Sequence, residues 1–400
     1  MLGCGGMPDG PAETSIDPRE VARWREVLRP VDALLEHVAR RVRVLPSLMP
    51  NNAASERARL VSLVAAGETP APSWEAPRRA SEPELRRGLD AARMHLGRAL
   101  DGALRDAYVA RLDELEVDLA ILEVLGDPAS VRPLVARRYG TGARQVMLEA
   151  GPVQVGQVAR GLLASFGPAE EARARTAPEV AARLQAAASA AGIPPVEVRI
   201  EPRLVAGAAT GERVIFLADR SFGEVEARRL VAHEVAGHAV VAANAAVQPL
   251  RLLGVGTAGA FADQEGLALC LEALAGALDT HRLRVLAARV VSTDGVHAGA
   301  SFGETARLLH HRYEFSAETA VQIAERAFRG GGVARDAGYL FGYLRVGAAL
   351  RQGRAGIDAM RAGRVGLDDL GWLQTLGGTG IVRAPRYRPT LDTVLAAAPP

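Results

Sequence analysis

Hydrophobic positions recur at helical spacing over most of the chain. Between Pro18 and Val44, the residues Val21, Trp24, Val27, Leu28, Val31, Leu34, Leu35 and Val38 fall on one face, which predicts an amphipathic helix. The stretch Pro46–Pro50 breaks it, and a second helix is expected from about Ser55 to Ala65. Residues Gly67–Pro83 hold four prolines and read as an extended connector. Helical periodicity resumes between Glu84 and Val124 as two or three helices, stops at Gly126-Asp127-Pro128, and returns over roughly 154–191. The period then changes. Val196, Val198 and Ile200 alternate with Glu197 and Arg199, and Arg213–Leu217 is a second short apolar run, so these are the two clearest strands. Helices follow, up to a Gly/Pro-rich tail. The pattern predicts an α+β fold, predominantly helical, with a short β-sheet after an N-terminal helical region. The expected organisation is a disordered lead-in over 1–18, a helical region over 19–190, a second region over 191–385 and a tail over 386–400.

Composition narrows the class. Hydrophobic residues make up 48% of the chain and charged residues 24%, the balance of a soluble globular protein. A formal net charge of +2 is too weak to point to nucleic acid or an anionic membrane surface. The 48 basic residues are all arginine, so no lysine nucleophile or Schiff base is available. Two cysteines, Cys4 and Cys270, make no disulfide framework and no Cys-rich metal site. No basic n-region with an apolar h-region opens the chain and no 18-residue apolar span occurs, so the expected location is cytoplasmic.

The chemistry concentrates in one helix. Ser221 precedes Glu224 by three residues, which suggests a capping box at its start. The helix then carries His233-Glu234-Val235-Ala236-Gly237-His238 in an apolar setting. Histidines four apart share a helix face, but these are five apart, and on an ideal helix their rings point about 140° away from each other. Joint chelation therefore predicts a local widening such as a π-bulge, with Gly237 easing the irregular backbone. A buried glutamate here needs a cation or a raised pKa. A catalytic zinc takes three protein ligands. The third is expected at Glu265, in Asp263-Gln264-Glu265-Gly266-Leu267-Ala268, far enough along for a second helix to pack beside the first. The predicted metal set is His233, His238 and Glu265, holding one Zn2+ per chain, with Glu234 as general base. Glu272 would share the Glu265 face, where it could support a metal ligand, but a solvated or salt-bridged surface role is the expected one. Adjacent His310 and His311 make poor co-ligands, and they and His281 are expected at the surface or at helix ends.

At these residues the sequence resembles the tyrosine carboxypeptidase-like family, which includes the animal enzymes that remove the C-terminal tyrosine of α-tubulin and bacterial relatives named for a QEGLA motif. That motif is intact as Gln264-Glu265-Gly266-Leu267-Ala268. Asn244, Val247-Gln248-Pro249-Leu250, Arg326–Gly331 and Asp336–Gly342 are similar to further family elements. Arg335 stands where the family often has lysine, and Ala245 where it has glycine. The resemblance spans about 45–385 and implies a zincin-like metallopeptidase core in 191–385. It also implies a metallocarboxypeptidase releasing a C-terminal aromatic residue, Tyr or Phe, from a peptide or protein.

Zinc chemistry at this motif lowers the pKa of a water and polarises a carbonyl, and Glu234 would move the proton. A carboxypeptidase must grip a free α-carboxylate, which arginine does through a bidentate fork. That need and the resemblance point to Arg326 and Arg329, with Tyr339 as an oxyanion stabiliser. Two alternatives use the same residues: a zinc endopeptidase or aminopeptidase, and a non-catalytic regulatory metal-binding protein. The expected partner is a peptide or protein C-terminus, with no nucleic acid and no membrane.

Overall fold

The structure is a computed structural model that describes residues 16–75, 82–169 and 174–398. Most of the expected lead-in, with Cys4, and part of the proline-rich connector lie outside the described residues.

The first helix spans Pro18–Arg41. The Asp17 side chain accepts from the Arg19 N–H, and proline follows at the first helical position, where its missing donor costs nothing. Its apolar stripe of Val21, Leu28, Val31, Leu35 and Val38 is buried, as the spacing predicts. Helices Ala53–Ala65, Pro83–Ala99 and Gly102–Glu123 follow. Gly126, at φ 93°, closes the last of these, while Asp127 caps the next helix, Pro128–Tyr139.

The periodicity misses the next element. Strands β1 (Gln145–Leu148) and β2 (Gly151–Gln154) form an antiparallel hairpin with Leu148 opposite Gly151. It carries no clean alternation because much of it faces solvent; Met147 is 63% exposed. The helical stretch expected over 154–191 is two helices, Val155–Ser165 and Ala177–Ala190, the second with a capping box from Thr176 and Glu179.

The sheet contains the two foreseen strands and one more. Strand β3 (Glu197–Glu201) pairs in parallel with β5 (Val214–Ala218), and β4 (Ala208–Thr210) pairs antiparallel with β5 on its other side. Thus β4 is an outer strand. Only three residues long, it offers no alternation to read.

One continuous helical rod follows, made of Glu224–Leu230, π-helical turns over Val231–Ala239, and Val240–Ala246. The expected Ser221–Glu224 capping box is absent: Gly223 takes the cap position without a side-chain bond. Glu224 is instead bonded by Arg175 at 2.7 Å and Arg183 at 2.6 Å. Charge-assisted bonds of this kind outweigh a single cap.

The helix Ala260–Leu274 packs against the rod on one side and against Ala337–Arg351 on the other. Glycines set how close they come. A Cβ on Gly342 would lie 1.8 Å from the Ala262 carbonyl oxygen, and one on Gly266 would lie 2.3 Å from the Gly342 backbone. One hydrophobic cluster runs from Val21 to Val394 and draws on both the N-terminal helices and the second region. Within the expected tail, residues Leu391–Ala396 form a helix whose Leu391 and Leu395 pack against Ala232 of the rod. No helix among the described residues is long and apolar enough to cross a membrane.

Candidate metal centre and substrate cavity

The π-helical turns bring His233 and His238 together. Their Nε2 atoms are 3.2 Å apart, where a regular helix would splay the rings. Widening a helix releases backbone carbonyls, which side chains then satisfy. Arg361, itself buried, donates Nη2 to the Ala236 carbonyl at 2.8 Å, and the Thr210 hydroxyl reaches the Glu234 carbonyl at 3.3 Å. Gly237 has a second use. A Cβ there would meet the Ala268 Cβ at 3.0 Å, so its small size lets the Ala260–Leu274 helix close in.

That close approach delivers Glu265. Its Oε2 lies 3.3 Å from His233 Nε2 and 3.5 Å from His238 Nε2. Neither contact has hydrogen-bond geometry, and Oε2 is buried with no hydrogen-bond partner. Zinc in tetrahedral coordination, with bonds of about 2.0–2.1 Å, sets its ligands about 3.3–3.4 Å apart. The three separations match the edges of such a tetrahedron, so His233, His238 and Glu265 form a group that could hold a metal ion.

The surrounding charges agree. The His233 Nδ1–H donates to Glu272 Oε1 at 2.7 Å, which turns Nε2 and its lone pair toward His238 and Glu265. Burial opposes a charged His233, but the contacts to Glu265 and Glu272 outweigh it and lift the ring to about 10. Burial likewise opposes an ionised Glu265, yet the two histidines hold its carboxyl well below the usual range. Without a metal, the site draws a proton to the place a cation would take. Glu272 is fully buried, which overturns its expected surface role. Arg282 bonds both its oxygens, at 3.0 and 3.1 Å; burial opposes its charge, but Arg282 and His233 hold it down to about 2.

Glu234 is buried beside the cluster, and the Thr210 hydroxyl donates to its Oε2 at 2.7 Å. Gln264 of the second motif and Asn244, just after the first, serve the scaffold. Gln264 donates to the carbonyls of Met360 and Val365, and Asn244 exchanges bonds with the backbone of Tyr387 in both directions. These anchor the chain segments behind the cluster.

A cavity of about 490 Å³ opens beside the cluster, with His233, Glu234, Glu272, Arg289, Arg326 and Tyr339 on its wall. His281, at the start of the Thr280–His297 helix as expected of a helix-end residue, lines it too. Arg326 reaches the cavity, but its guanidinium is already held by both oxygens of Asp336, one at 3.1 Å. Tyr339 is buried next to the metal group; burial and the Glu265 charge raise its hydroxyl, which therefore keeps its proton to donate. Arg329 is not on the cavity wall. Its backbone leaves the helix at ψ 149°, and Gly330 and Gly331 follow at φ 65° and 88°.

Thr210, Arg282 and Arg289 were not singled out from the sequence. Thr210 gives no sign of its place, because it depends on a three-residue strand. Arg282 and Arg289 did leave one. They sit seven apart, two helical turns, in Thr280–His297, among the apolar positions Leu286 and Val290.

The comparisons with known proteins bear on this geometry. A family model described as microtubule-associated tyrosine carboxypeptidase matches residues 64–397, which includes the metal group and the whole cavity wall. No curated protein matches the chain.

Proposed function

The chain belongs to the microtubule-associated tyrosine carboxypeptidase family, and from that premise we propose that it is a zinc-dependent metallocarboxypeptidase with a zincin-like core, releasing a C-terminal Tyr or Phe from a peptide or protein. Family membership makes it a carboxypeptidase-type enzyme acting on a protein or peptide chain. The observation that carries the zinc assignment is the set of three ligand separations, 3.2, 3.3 and 3.5 Å, around an otherwise unpartnered carboxylate oxygen. In this reading His233, His238 and Glu265 hold one Zn2+, and Glu272 fixes the His233 tautomer.

Zinc bound there supplies the Lewis acidity that acidifies a water and polarises the scissile carbonyl. Glu234 takes the proton of the attacking water and passes it to the leaving amine. The Thr210 hydroxyl holds one of its oxygens, which leaves the other free to accept. Tyr339 donates its O–H to the oxyanion as the carbonyl becomes tetrahedral. Arg326, bound to Asp336, contributes a fixed positive charge to the wall that receives the substrate's carboxylate.

Two measurements test the reading. Metal analysis of purified protein is expected to find about one zinc per chain, lost from the His233→Ala/His238→Ala double variant. Peptides ending in free Tyr or Phe should lose that residue, and the same peptides amidated should not. Full zinc occupancy in the double variant would falsify the metal assignment. Equal cleavage of acid and amide would turn the reading to an endopeptidase.

A further inference from the structure

Two arginines on the cavity wall, Arg284 and Arg289, have no carboxylate to themselves. Arg220 and Arg229 share Glu226, Arg282 holds Glu272, and Arg326 holds Asp336. Arg284 donates to the carbonyls of Phe166 and Tyr313. The Arg289 Nε is buried without a hydrogen-bond partner. The carboxylate oxygen paired with it, Asp336 Oδ2, lies 3.7 Å from Nε and already accepts from Arg326. The Arg289 side chain is only 13% exposed.

Burial disfavours this charge, and the neighbouring Arg326 adds repulsion that Asp336 offsets only in part; together they pull Arg289 down to about 9. A desolvated guanidinium with unfilled donors is costly unless an anion arrives. Arg289, Arg326 and Asp336 carry one net positive charge between them. The guanidinium carbon of Arg289 lies 5.4 Å from the centroid of the Tyr339 ring, which places it near the proposed oxyanion donor. Val285, Phe315 and Ile323 line the same cavity and offer an apolar wall. An anion and an apolar side chain on adjacent atoms are what the C-terminal residue of a peptide presents.

The geometry points to Arg289 as the residue that takes the free α-carboxylate of the substrate's last residue, through the two-pronged fork that Arg326 cannot offer. This rests on the carboxypeptidase reading. Arg326 and Asp336 act behind it: Asp336 accepts from Arg326 and keeps Arg326 from competing for the substrate. Arg329, off the cavity wall, plays no part in the contact.

Binding in a non-cleaving background tests this without turnover. The zinc-loaded Glu234→Gln variant serves as parent, and the probes are a pentapeptide ending in free tyrosine and its C-terminal amide, titrated calorimetrically. The parent is expected to prefer the acid by about 100-fold or more. Adding Arg289→Met should weaken acid binding on the order of 100-fold while the amide is unchanged, the usual consequence of stripping one partner from a desolvated ion pair. Adding Arg329→Met should leave both affinities alone. Zinc content and thermal midpoint establish that each variant is folded. Arg289→Lys, which keeps the charge and the stem, provides a second reading, expected to lose about tenfold for the acid because the fork is gone. Retention of the parent's acid preference in the Arg289 variants overturns the inference while the carboxypeptidase reading stands. A parent that binds acid and amide alike overturns both.

Discussion

The metal group and the arginine wall line one region of the molecule with opposite unmet charges. In the first, two histidines and a carboxylate converge around a point where a cation fits, and Glu265 Oε2 has no hydrogen-bond partner. In the second, Arg289 Nε has none either, and the nearby carboxylate is already taken. The supports differ as much as the charges. The metal group rests on backbone proximity, with Gly237 against Ala268 and Gly266 against Gly342, so a methyl group would push its helices apart. The arginine wall rests on ion pairs between side chains. The rest of the core shows what happens where no ligand is due. There, many buried charges pair internally, as Arg138 does with Asp118 at 2.8 Å, although the Nε of Arg329, off the cavity wall, is buried without a partner as well. The comparison teaches that an unpaired buried charge has meaning only beside one whose partner is already in place.

The sharpest break is expected from Glu234→Gln. The amide keeps the Thr210 contact but cannot accept a proton, so hydrolysis should fall by about 10³ or more with zinc still bound. Loss of zinc along with activity would instead make Glu234 a structural part of the metal group. Next in size, Glu272→Gln should weaken zinc affinity by about 10–100-fold, the usual cost of disturbing the residue that orients a ligand histidine. Competition with a chelator of known affinity measures it. Gly342→Ala should destabilise the fold by about 1–3 kcal/mol in denaturant titrations, the range for overpacking, and should weaken zinc binding because the helix carrying Glu265 must shift. The equivalent insult to the arginine wall, Arg289→Ala, should leave zinc affinity untouched.

Smaller is Thr210→Val, which removes one hydrogen bond to Glu234. It should lower kcat by about fivefold with KM unchanged, and Thr210→Ser should restore it. The smallest effect lies far from the cavity. Burial raises Asp32 to about 6 despite its 2.7 Å bond from Tyr108. A carboxyl raised from 3.8 to about 6 contributes stability that is present below pH 3.8 and lost as pH climbs through 6. Asp32→Asn should flatten that slope in thermal unfolding between pH 4 and 6. An unchanged slope would place its origin elsewhere.

Much of this architecture is written in local pattern. The stripe from Val21 to Val38 specifies a helix and its buried face, because side chains three and four apart share one side. The five-residue spacing of His233 and His238 required an irregular helix, and the π-helical turns over Val231–Ala239 supply it. What local pattern could not carry is anything decided by segments distant in the chain. Strand β4 is too short to show a period, so Thr210's approach to Glu234 had no trace. The Ser221–Glu224 cap was forfeited to Arg175 and Arg183, some 40 to 50 residues away. Glu272 has the local pattern of a surface residue, and only Arg282 and His233, from other parts of the fold, enclose it.

The arginines mark the boundary most clearly. A chain with 48 basic residues, all arginine, offers no means of ranking them by type. Arg326 and Arg329 differ by three positions on one helical segment, yet only Arg326 reaches the cavity, because the backbone turns away at Arg329 and Gly330. By itself the sequence determined which side chains could bind a metal and move a proton, since that depends on atom type and short spacing. Only the tertiary structure decided which charges found partners and which were left for a ligand, since pairing depends on distances that no local pattern encodes.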